Sequence, residues 1–134
     1  MKPDQAAHRH TRILFFDDDA DILELCSIIL RMRGYEVFTR ATCDHVEDSV
    51  TEVAPDIIFM DGRIPDVGGV EATRQIKANK NLRKIPVVFF SANADVNYLS
   101  TQAGADAYLP KPFDISELET VIHRTLKSGV HAAA

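Results

Sequence analysis

The stretch Asp56-Ile57-Ile58-Phe59-Met60-Asp61 decides the fold of this chain, because it is a short, unbroken apolar run that ends in a carboxylate. An apolar run of this length is typical of a strand that is buried on both faces of a parallel sheet. In open sheets of this class, ligands bind just beyond the carboxyl ends of the strands. Asp61 is therefore a candidate reactive group, presented by a rigid central strand.

The sequence on either side of this stretch alternates between strand and helix patterns. Strand patterns occur at residues 11–16, 35–39, 56–60, 85–90 and 105–109, and helical spacing occurs at 22–30, 46–53, 70–76, 95–103 and 115–126. Because strands separated by helices run parallel, with right-handed crossovers, this pattern predicts a five-stranded parallel sheet in a three-layer α/β/α domain. The last strand is expected at a sheet edge, since Pro110 and Pro112 follow it. The domain is expected to span residues 11–127, between a flexible arm (1–10) and a flexible, structureless tail (128–134).

Composition and charge narrow the class of protein. With 134 residues, 46% of them hydrophobic, the chain is long enough for one domain with its own core. A formal net charge of −5 argues against direct binding of nucleic acid. No apolar run is long enough to span a membrane. The two cysteines, Cys26 and Cys43, fall in predicted helices and are expected to be buried and reduced, which favours a cytoplasmic location.

Polar side chains gather where four of the predicted strands end. These side chains are Asp17, Asp18, Asp19, Asp61, Ser91 and Lys111. Carboxylates a few ångströms apart either hold protons or hold a cation, and oxygen ligands suit Mg²⁺. A carboxylate beside Mg²⁺ and a lysine can act as a nucleophile toward a phosphoryl group. The sequence therefore predicts a phosphoryl-transfer site at this edge of the sheet.

Each of these residues also has a purely structural interpretation. We favour helix capping for Asp19 and Asp21, which precede and open the first helix. Ser91 could cap the fourth helix, Lys111 could be a solvated surface residue, and Asp61 could be a turn residue before a glycine. Taken one at a time these interpretations are adequate, but together they would require four unrelated structural roles at four strand ends. We therefore favour a common site.

The sequence closely resembles the receiver domain of two-component response regulators. The resemblance runs from about Arg12 to Leu126 and rests on residues 13–22, 55–61, Ile64-Pro65 with Gly69, 85–92 and 104–113, in the right order and at the right spacing. It implies a flavodoxin-like, doubly wound sheet with strand order 2-1-3-4-5.

The resemblance also implies a role for the residues around the metal. Asp61 corresponds to the phosphoacceptor and also to a ligand of Mg²⁺. Asp18 corresponds to the direct carboxylate ligand, Asp17 to its partner acting through water, and Arg63 to a ligand through its backbone carbonyl. The implied phosphoryl donor is a phosphohistidine on a sensor histidine kinase or on a histidine phosphotransfer protein.

A second group of residues would carry the signal away from the site. Ser91 corresponds to a hydroxyl that moves toward the phosphoryl group, and Lys111 to the ammonium that contacts it. Tyr108 corresponds to an aromatic side chain that changes rotamer when Ser91 moves, and the Lys111-Pro112 peptide bond is expected to be cis. The altered face would be read by a downstream protein, by an output domain outside this chain, or by a second copy in a phosphorylation-dependent dimer.

Some positions depart from the commonest pattern of the family. Gly62 replaces a usual apolar residue, so we expect a more mobile loop after Asp61. Arg63 places a long cation near the phosphoryl group, and we expect Arg63 and Asn93 to set the lifetime of that group. The alternative for Arg63 is that its side chain points into solvent.

Two other functions fit parts of the sequence. The first is a haloacid-dehalogenase-like phosphatase, in which Asp17 of the Asp17-x-Asp19 motif would be the nucleophile. That class normally has a longer chain with a cap and a terminal acidic pair, which this sequence lacks. The second is a docking domain of the same fold that needs no phosphorylation. We expect a signalling domain rather than an enzyme.

Overall fold

A computed structural model describes residues 10–64, 68–92 and 96–133, and within these ranges strands and helices alternate strictly, five of each. In chain order they are β1 (Arg12–Phe16), α1 (Ala20–Met32), β2 (Glu36–Arg40), α2 (Val46–Val53), β3 (Ile57–Asp61), α3 (Gly69–Ala78), β4 (Val87–Ser91), α4 (Val96–Ala103), β5 (Ala107–Pro110) and α5 (Ile115–Ala133). The strands form one sheet of order β2-β1-β3-β4-β5, and every neighbouring pair is parallel. The predicted flavodoxin-like architecture and its strand order are therefore confirmed.

The sheet separates two apolar cores, because successive side chains along a strand point to opposite faces. One core joins β1, β3 and β4 to α2, α3 and α4, and it contains Leu14, Met60 and Phe89. The other joins the same strands to α1 and α5, and it contains Phe15 and Phe90. Each strand of the central three therefore has an apolar run that is buried on both faces, which is why its sequence shows no alternation. The strongest sequence signal, β3, lies in the middle of the sheet with every residue buried.

Local capping signals define where two helices begin. The side chain of Asp19 accepts hydrogen bonds from the backbone N–H groups of Asp21 and Ile22, so Asp19 is the N-cap of α1, as predicted. At α5, the N–H of Glu117 donates to Asp114 Oδ1 (2.8 Å) and the N–H of Asp114 donates to Glu117 Oε1 (3.1 Å). This reciprocal pair is the capping box that the sequence predicted.

Two predictions about local structure were wrong. The backbone of α5 continues to Ala133, although we predicted a structureless tail after residue 127. We ended this helix where its apolar periodicity stops, but periodicity reports which side chains are buried and not how far the helical backbone extends. Cys43 lies in the loop before α2 rather than in a helix, although both cysteines are free and buried as expected. Of the predicted arm, only His10 falls within the described residues, and its Nδ1 lies 2.6 Å from the carbonyl oxygen of Gly34.

Throughout the part of the chain that the structure describes, no helix is both long enough and apolar enough to cross a membrane.

The hydroxyl of Thr73, a residue of α3, lies in the apolar core. It is fully buried and finds no hydrogen-bond partner among the described residues. Because an unsatisfied buried hydroxyl destabilises the folded state, the isosteric Thr73→Val should raise the free energy of unfolding by about 1 kcal/mol. Urea unfolding checks this result. Thr51→Val is the matched control, since the exposed Thr51 hydroxyl donates to Glu47 O (2.8 Å), and it should not stabilise the chain. A loss of stability in Thr73→Val would contradict the assignment.

Candidate functional site

Three carboxylates from two strand ends converge at the carboxyl edge of the sheet. Oxygens of Asp17, Asp18 and Asp61 all lie within 4.8 Å of one another. Asp17 and Asp61 are buried, whereas Asp18 is exposed and opens the cluster to solvent. The structure thus brings together the acidic residues that the sequence places far apart in the chain.

Backbone hydrogen bonds hold the strand ends that carry these side chains. The N–H of Asp17 donates to Arg40 O (3.1 Å), which ties the end of β1 to β2. The N–H of Gly62 donates to Phe90 O (3.1 Å), and the N–H of Lys111 donates to Ser91 O (2.9 Å). The residues of the site are therefore attached to a continuous ladder of strands rather than to independent loops.

Lys111 supplies the cation of the site. Its Nζ lies 2.7 Å from Asp17 Oδ2 and 4.0 Å from Asp61 Oδ2, and it also lies 4.6 Å from the centre of the Phe90 ring. The ammonium is largely enclosed, so it is not the solvated surface lysine of the structural interpretation. The Lys111-Pro112 peptide bond is cis, as the resemblance implied.

Burial is the main reason that the pKa of Asp61 is raised, from an ordinary 3.8 to about 6. The negative charge of Asp17 raises this pKa as well. Two groups oppose the shift: the backbone N–H of Arg63, which donates to Asp61 Oδ1 at 3.0 Å, and the ammonium of Lys111. A proton bound to Asp61 and a cation bound beside it would each offset the negative charge of this carboxylate. We therefore expect protonation and cation binding to compete.

The donor set fits a hard divalent cation. The carboxylates of Asp17, Asp18 and Asp61, with only the Lys111 ammonium against them, leave a net charge of −2 when all are ionised. Oxygen ligands with access to water are the ligands that Mg²⁺ prefers. Asp18 provides that access because it is exposed.

The residues assigned to the switch lie on the two strands next to Asp61. Ser91 is fully buried as the last residue of β4, and Ala92 after it is not helical, so Ser91 is not the N-cap of α4. Tyr108 lies on the edge strand β5 and is 41% exposed. A change in the rotamer of Tyr108 would therefore alter the protein surface. Arg63 is also exposed, whereas Asn93 lies outside the described residues.

Sequence analysis missed the packing around Gly62. A Cβ atom at Gly62 would lie 2.5 Å from Cε2 of Phe89, and a Cβ atom at Gly69 would collide with the carbonyl oxygen of Asp61. The backbone after Asp61 is thus enclosed between an aromatic ring and a second glycine. The structure gives a packing reason for Gly62, and the expected mobility of this loop stays a prediction. The apolar character of Phe89 gave no signal for this contact.

Because the Phe89 ring occupies the space of a side chain at position 62, Gly62→Ala should lower the free energy of unfolding by about 1–3 kcal/mol. Phe89→Leu removes the ring, so adding it to Gly62→Ala should make the two losses less than additive. Urea unfolding of the four proteins in this cycle measures the coupling. Strictly additive losses would mean that residues 62 and 89 do not compete for the same space.

Comparison with known proteins places this site in a family. The model of the response regulator receiver domain matches residues 13–123. The phosphate regulon transcriptional regulatory protein PhoB of Pseudomonas aeruginosa is 30% identical over 119 residues, which cover 84% of this chain and 52% of the relative. The transcriptional regulatory protein PrrA of Mycobacterium bovis is 36% identical over 118 residues, covering 87% of this chain and 50% of the relative. The chain thus spans about half the length of these curated relatives.

Solved structures lead to the same family. The receiver domain of a sensor histidine kinase from Pseudomonas aeruginosa PAO1, solved with a magnesium ion coordinated in its active-site cleft, is 32% identical with a TM-score of 0.80. The match covers 88% of this chain and 98% of that one. A CheY-like response regulator receiver domain protein from Methanospirillum hungatei JF-1 is 27% identical with a TM-score of 0.81, over 92% of this chain and 98% of that one. With its five-stranded sheet and its acidic edge, the chain therefore belongs to the response regulator receiver domain family of two-component signalling.

Proposed function

We propose that this chain is a phosphoacceptor domain in which Asp61 takes a phosphoryl group from a phosphohistidine. The donor would be a sensor histidine kinase or a histidine phosphotransfer protein. The observation that supports this most directly is the convergence of Asp17, Asp18 and Asp61 within 4.8 Å, with Lys111 beside them.

The reaction is an in-line displacement at phosphorus. A carboxylate oxygen of Asp61 attacks, the P–N bond breaks as the new P–O bond forms, and the electron pair of the broken bond returns to the imidazole nitrogen. Asp17, Asp18, Asp61 and the backbone carbonyl of Arg63 would hold Mg²⁺, which when bound offsets charge on the phosphoryl oxygens. Lys111 would contact the same oxygens with its ammonium.

Phosphorylation would then act through Ser91 and Tyr108. The Ser91 hydroxyl would hydrogen-bond to the phosphoryl group, and Tyr108 would turn from its exposed position toward the space that Ser91 leaves. This movement biases the face formed by α4, β5 and α5 between two arrangements. Among its described residues, α4 buries Val96, Ser100 and Ala103, whereas α2, which has the same length, buries three valines. We therefore expect α4 to change most easily.

The partners of this face follow from the length of the relatives. Because the chain spans about half of relatives that are named as transcriptional regulators, we propose an output domain outside this chain as one reader. A separate downstream protein and a second copy in a phosphorylation-dependent dimer are the alternatives. We propose that the receiver domain itself makes no direct contact with nucleic acid, since its net charge is −5.

Labelling with acetyl phosphate and Mg²⁺ tests the proposed acceptor. Mass spectrometry should find one hydroxylamine-sensitive phosphoryl group per native chain, and none in Asp61→Asn. Asp48→Asn is the matched control, since Asp48 is an exposed carboxylate on α2, and it should label as the native chain does. Full labelling of Asp61→Asn would place the acceptor elsewhere.

Turnover of a phosphate ester and binding of Mg²⁺, measured beside labelling, separate the other two functions. A phosphatase of the haloacid-dehalogenase class would turn over a phosphate ester continuously and would depend on Asp17 as its nucleophile. Asp17 is fully buried and paired with Lys111, which does not favour that role. A docking domain that needs no phosphorylation would neither bind Mg²⁺ nor become labelled.

We also propose that Arg63 and Asn93 control the lifetime of the phosphoryl group, by shielding it or by positioning water. The exposed Arg63 lies two residues after Asp61, and its N–H already donates to that carboxylate. The decay of labelled Arg63→Ala and Asn93→Ala should differ from that of the native chain. Unchanged decay in both variants would remove this role.

A further inference from the structure

The helix α1 carries an apolar stripe on the surface of the domain. Leu25 is 60% exposed, Ile28 50% and Met32 81%. Their spacing of three and four residues places them on one side of the helix. In the described part of the chain, Tyr98 and Tyr108 are the other large hydrophobic residues with this degree of exposure, and they lie on α4 and β5. A concentrated apolar stripe of this kind marks an interaction surface.

An acidic and a basic residue lie beside the stripe, with the acidic one nearer the N-terminus of α1. Glu24 and Arg31 are both exposed and lie seven residues, or two helical turns, apart on the same side of α1. They line a groove of about 430 Å³ together with Ile28 and Thr39. Arg31 donates one N–H to the carbonyl oxygen of Val37 (2.8 Å), and a guanidinium has further donors for a second partner.

The apolar and charged residues of α1 are arranged so that one copy of the helix is complementary to a second copy that runs in the opposite direction. The midpoint between Leu25 and Met32 and the midpoint between Glu24 and Arg31 both fall within one residue of Ile28. An antiparallel second copy of α1, related by a two-fold axis near Ile28, would therefore set Leu25 against Met32 of the second copy. It would also set Glu24 against Arg31 of the second copy, twice by symmetry.

We propose that the stripe on α1 is a self-association surface, which pairs two copies of this chain through antiparallel α1 helices. A partner of unrelated sequence would not require a symmetric arrangement of the apolar and charged residues on α1. One helix face is smaller than the roughly 800 Å² per partner of a standard interface, so we expect a dimer that forms and dissociates with protein concentration. The helix α1 lies beside β2, at the edge of the sheet opposite β5. The dimer thus leaves Tyr98 and Tyr108 exposed.

Sedimentation velocity of the whole chain over a concentration series tests the proposal. The native chain should show a concentration-dependent dimer, and Ile28→Glu should remove it by placing two charges at the axis. Glu24→Arg and Arg31→Glu should each weaken association about tenfold, because each replaces two attractive pairs with two repulsive ones. The double variant Glu24→Arg/Arg31→Glu restores both pairs and should associate within about threefold of the native chain.

Two control variants show whether association depends on α1 in particular. Lys84→Glu changes a surface charge far from α1, and Tyr98→Glu disrupts the α4 surface; both should associate as the native chain does. Circular dichroism and thermal melting of each variant report whether it is folded. A native chain that stays monomeric, a double variant that does not recover, or loss of the dimer in Tyr98→Glu would each overturn the proposal. So would α1 variants that alter only transfer from a protein phosphodonor. Sedimentation and melting do not depend on labelling of Asp61, so these two readouts test the dimer independently of the proposed phosphoacceptor function.

Discussion

Replacing Lys111 with methionine should lower the free energy of unfolding of the metal-free chain by about 3 kcal/mol at neutral pH. The ammonium lies 2.7 Å from Asp17 Oδ2, and the Asp17 side chain has no exposure to solvent. Methionine keeps the apolar stem against the Phe90 ring but leaves the buried carboxylate without a counter-charge. The loss should be smaller near pH 5 than at pH 8, because Lys111 also lowers the pKa of Asp61, and protonation of Asp61 relieves the repulsion that remains.

Urea unfolding with EDTA and with Mg²⁺ measures this effect. A bound divalent cation can supply the missing positive charge, so Mg²⁺ should recover more stability in Lys111→Met than in the native chain. Lys84→Met is the control, since Lys84 is exposed in the loop between α3 and β4, and it should stay within about 0.5 kcal/mol of the native chain. If Lys111→Met unfolded together with this control, Lys111 would not be the counter-charge of Asp17.

Asp61→Asn should have the opposite effect on the metal-free chain and should stabilise it by as much as about 3 kcal/mol at pH 7–8. Folding raises the pKa of Asp61 from 3.8 to about 6, so the folded state disfavours the charged carboxylate. The destabilisation is present in full above pH 6, declines as the pH falls from about 6 to about 4, and is absent when both states are protonated. Asparagine never carries this charge, so the advantage of the variant should disappear over the same interval.

Thermal melting in EDTA between pH 4 and pH 8 gives the comparison directly. Asp48→Asn removes an exposed carboxylate and should track the native chain throughout this range. With saturating Mg²⁺ the advantage of Asp61→Asn should shrink or reverse, because the native chain alone keeps the full set of carboxylates. A variant that is less stable than the native chain at pH 8 in EDTA would show that the Asp61 charge is not the unfavourable element.

Features that leave a local pattern in the sequence were predicted correctly, and a feature that leaves no such pattern was missed. The strand β3 was predicted because burial on both faces requires an unbroken apolar run. Asp19 and the Asp114–Glu117 capping box were predicted because capping is a local hydrogen-bond pattern. The end of α5 was missed because apolar periodicity reports buried positions rather than the extent of the helical backbone, which continues to Ala133.

The amino-acid sequence by itself determined the parallel sheet, the division of its side chains between two cores, and the polar residues that stand at its carboxyl edge. These features follow from periodicity and turn chemistry, which are written locally along the chain. Only the tertiary structure decided that Lys111 pairs with Asp17 at 2.7 Å while lying 4.0 Å from Asp61, and that Gly62 faces the ring of Phe89. Such distances depend on register and packing between distant segments, so no local pattern can encode them.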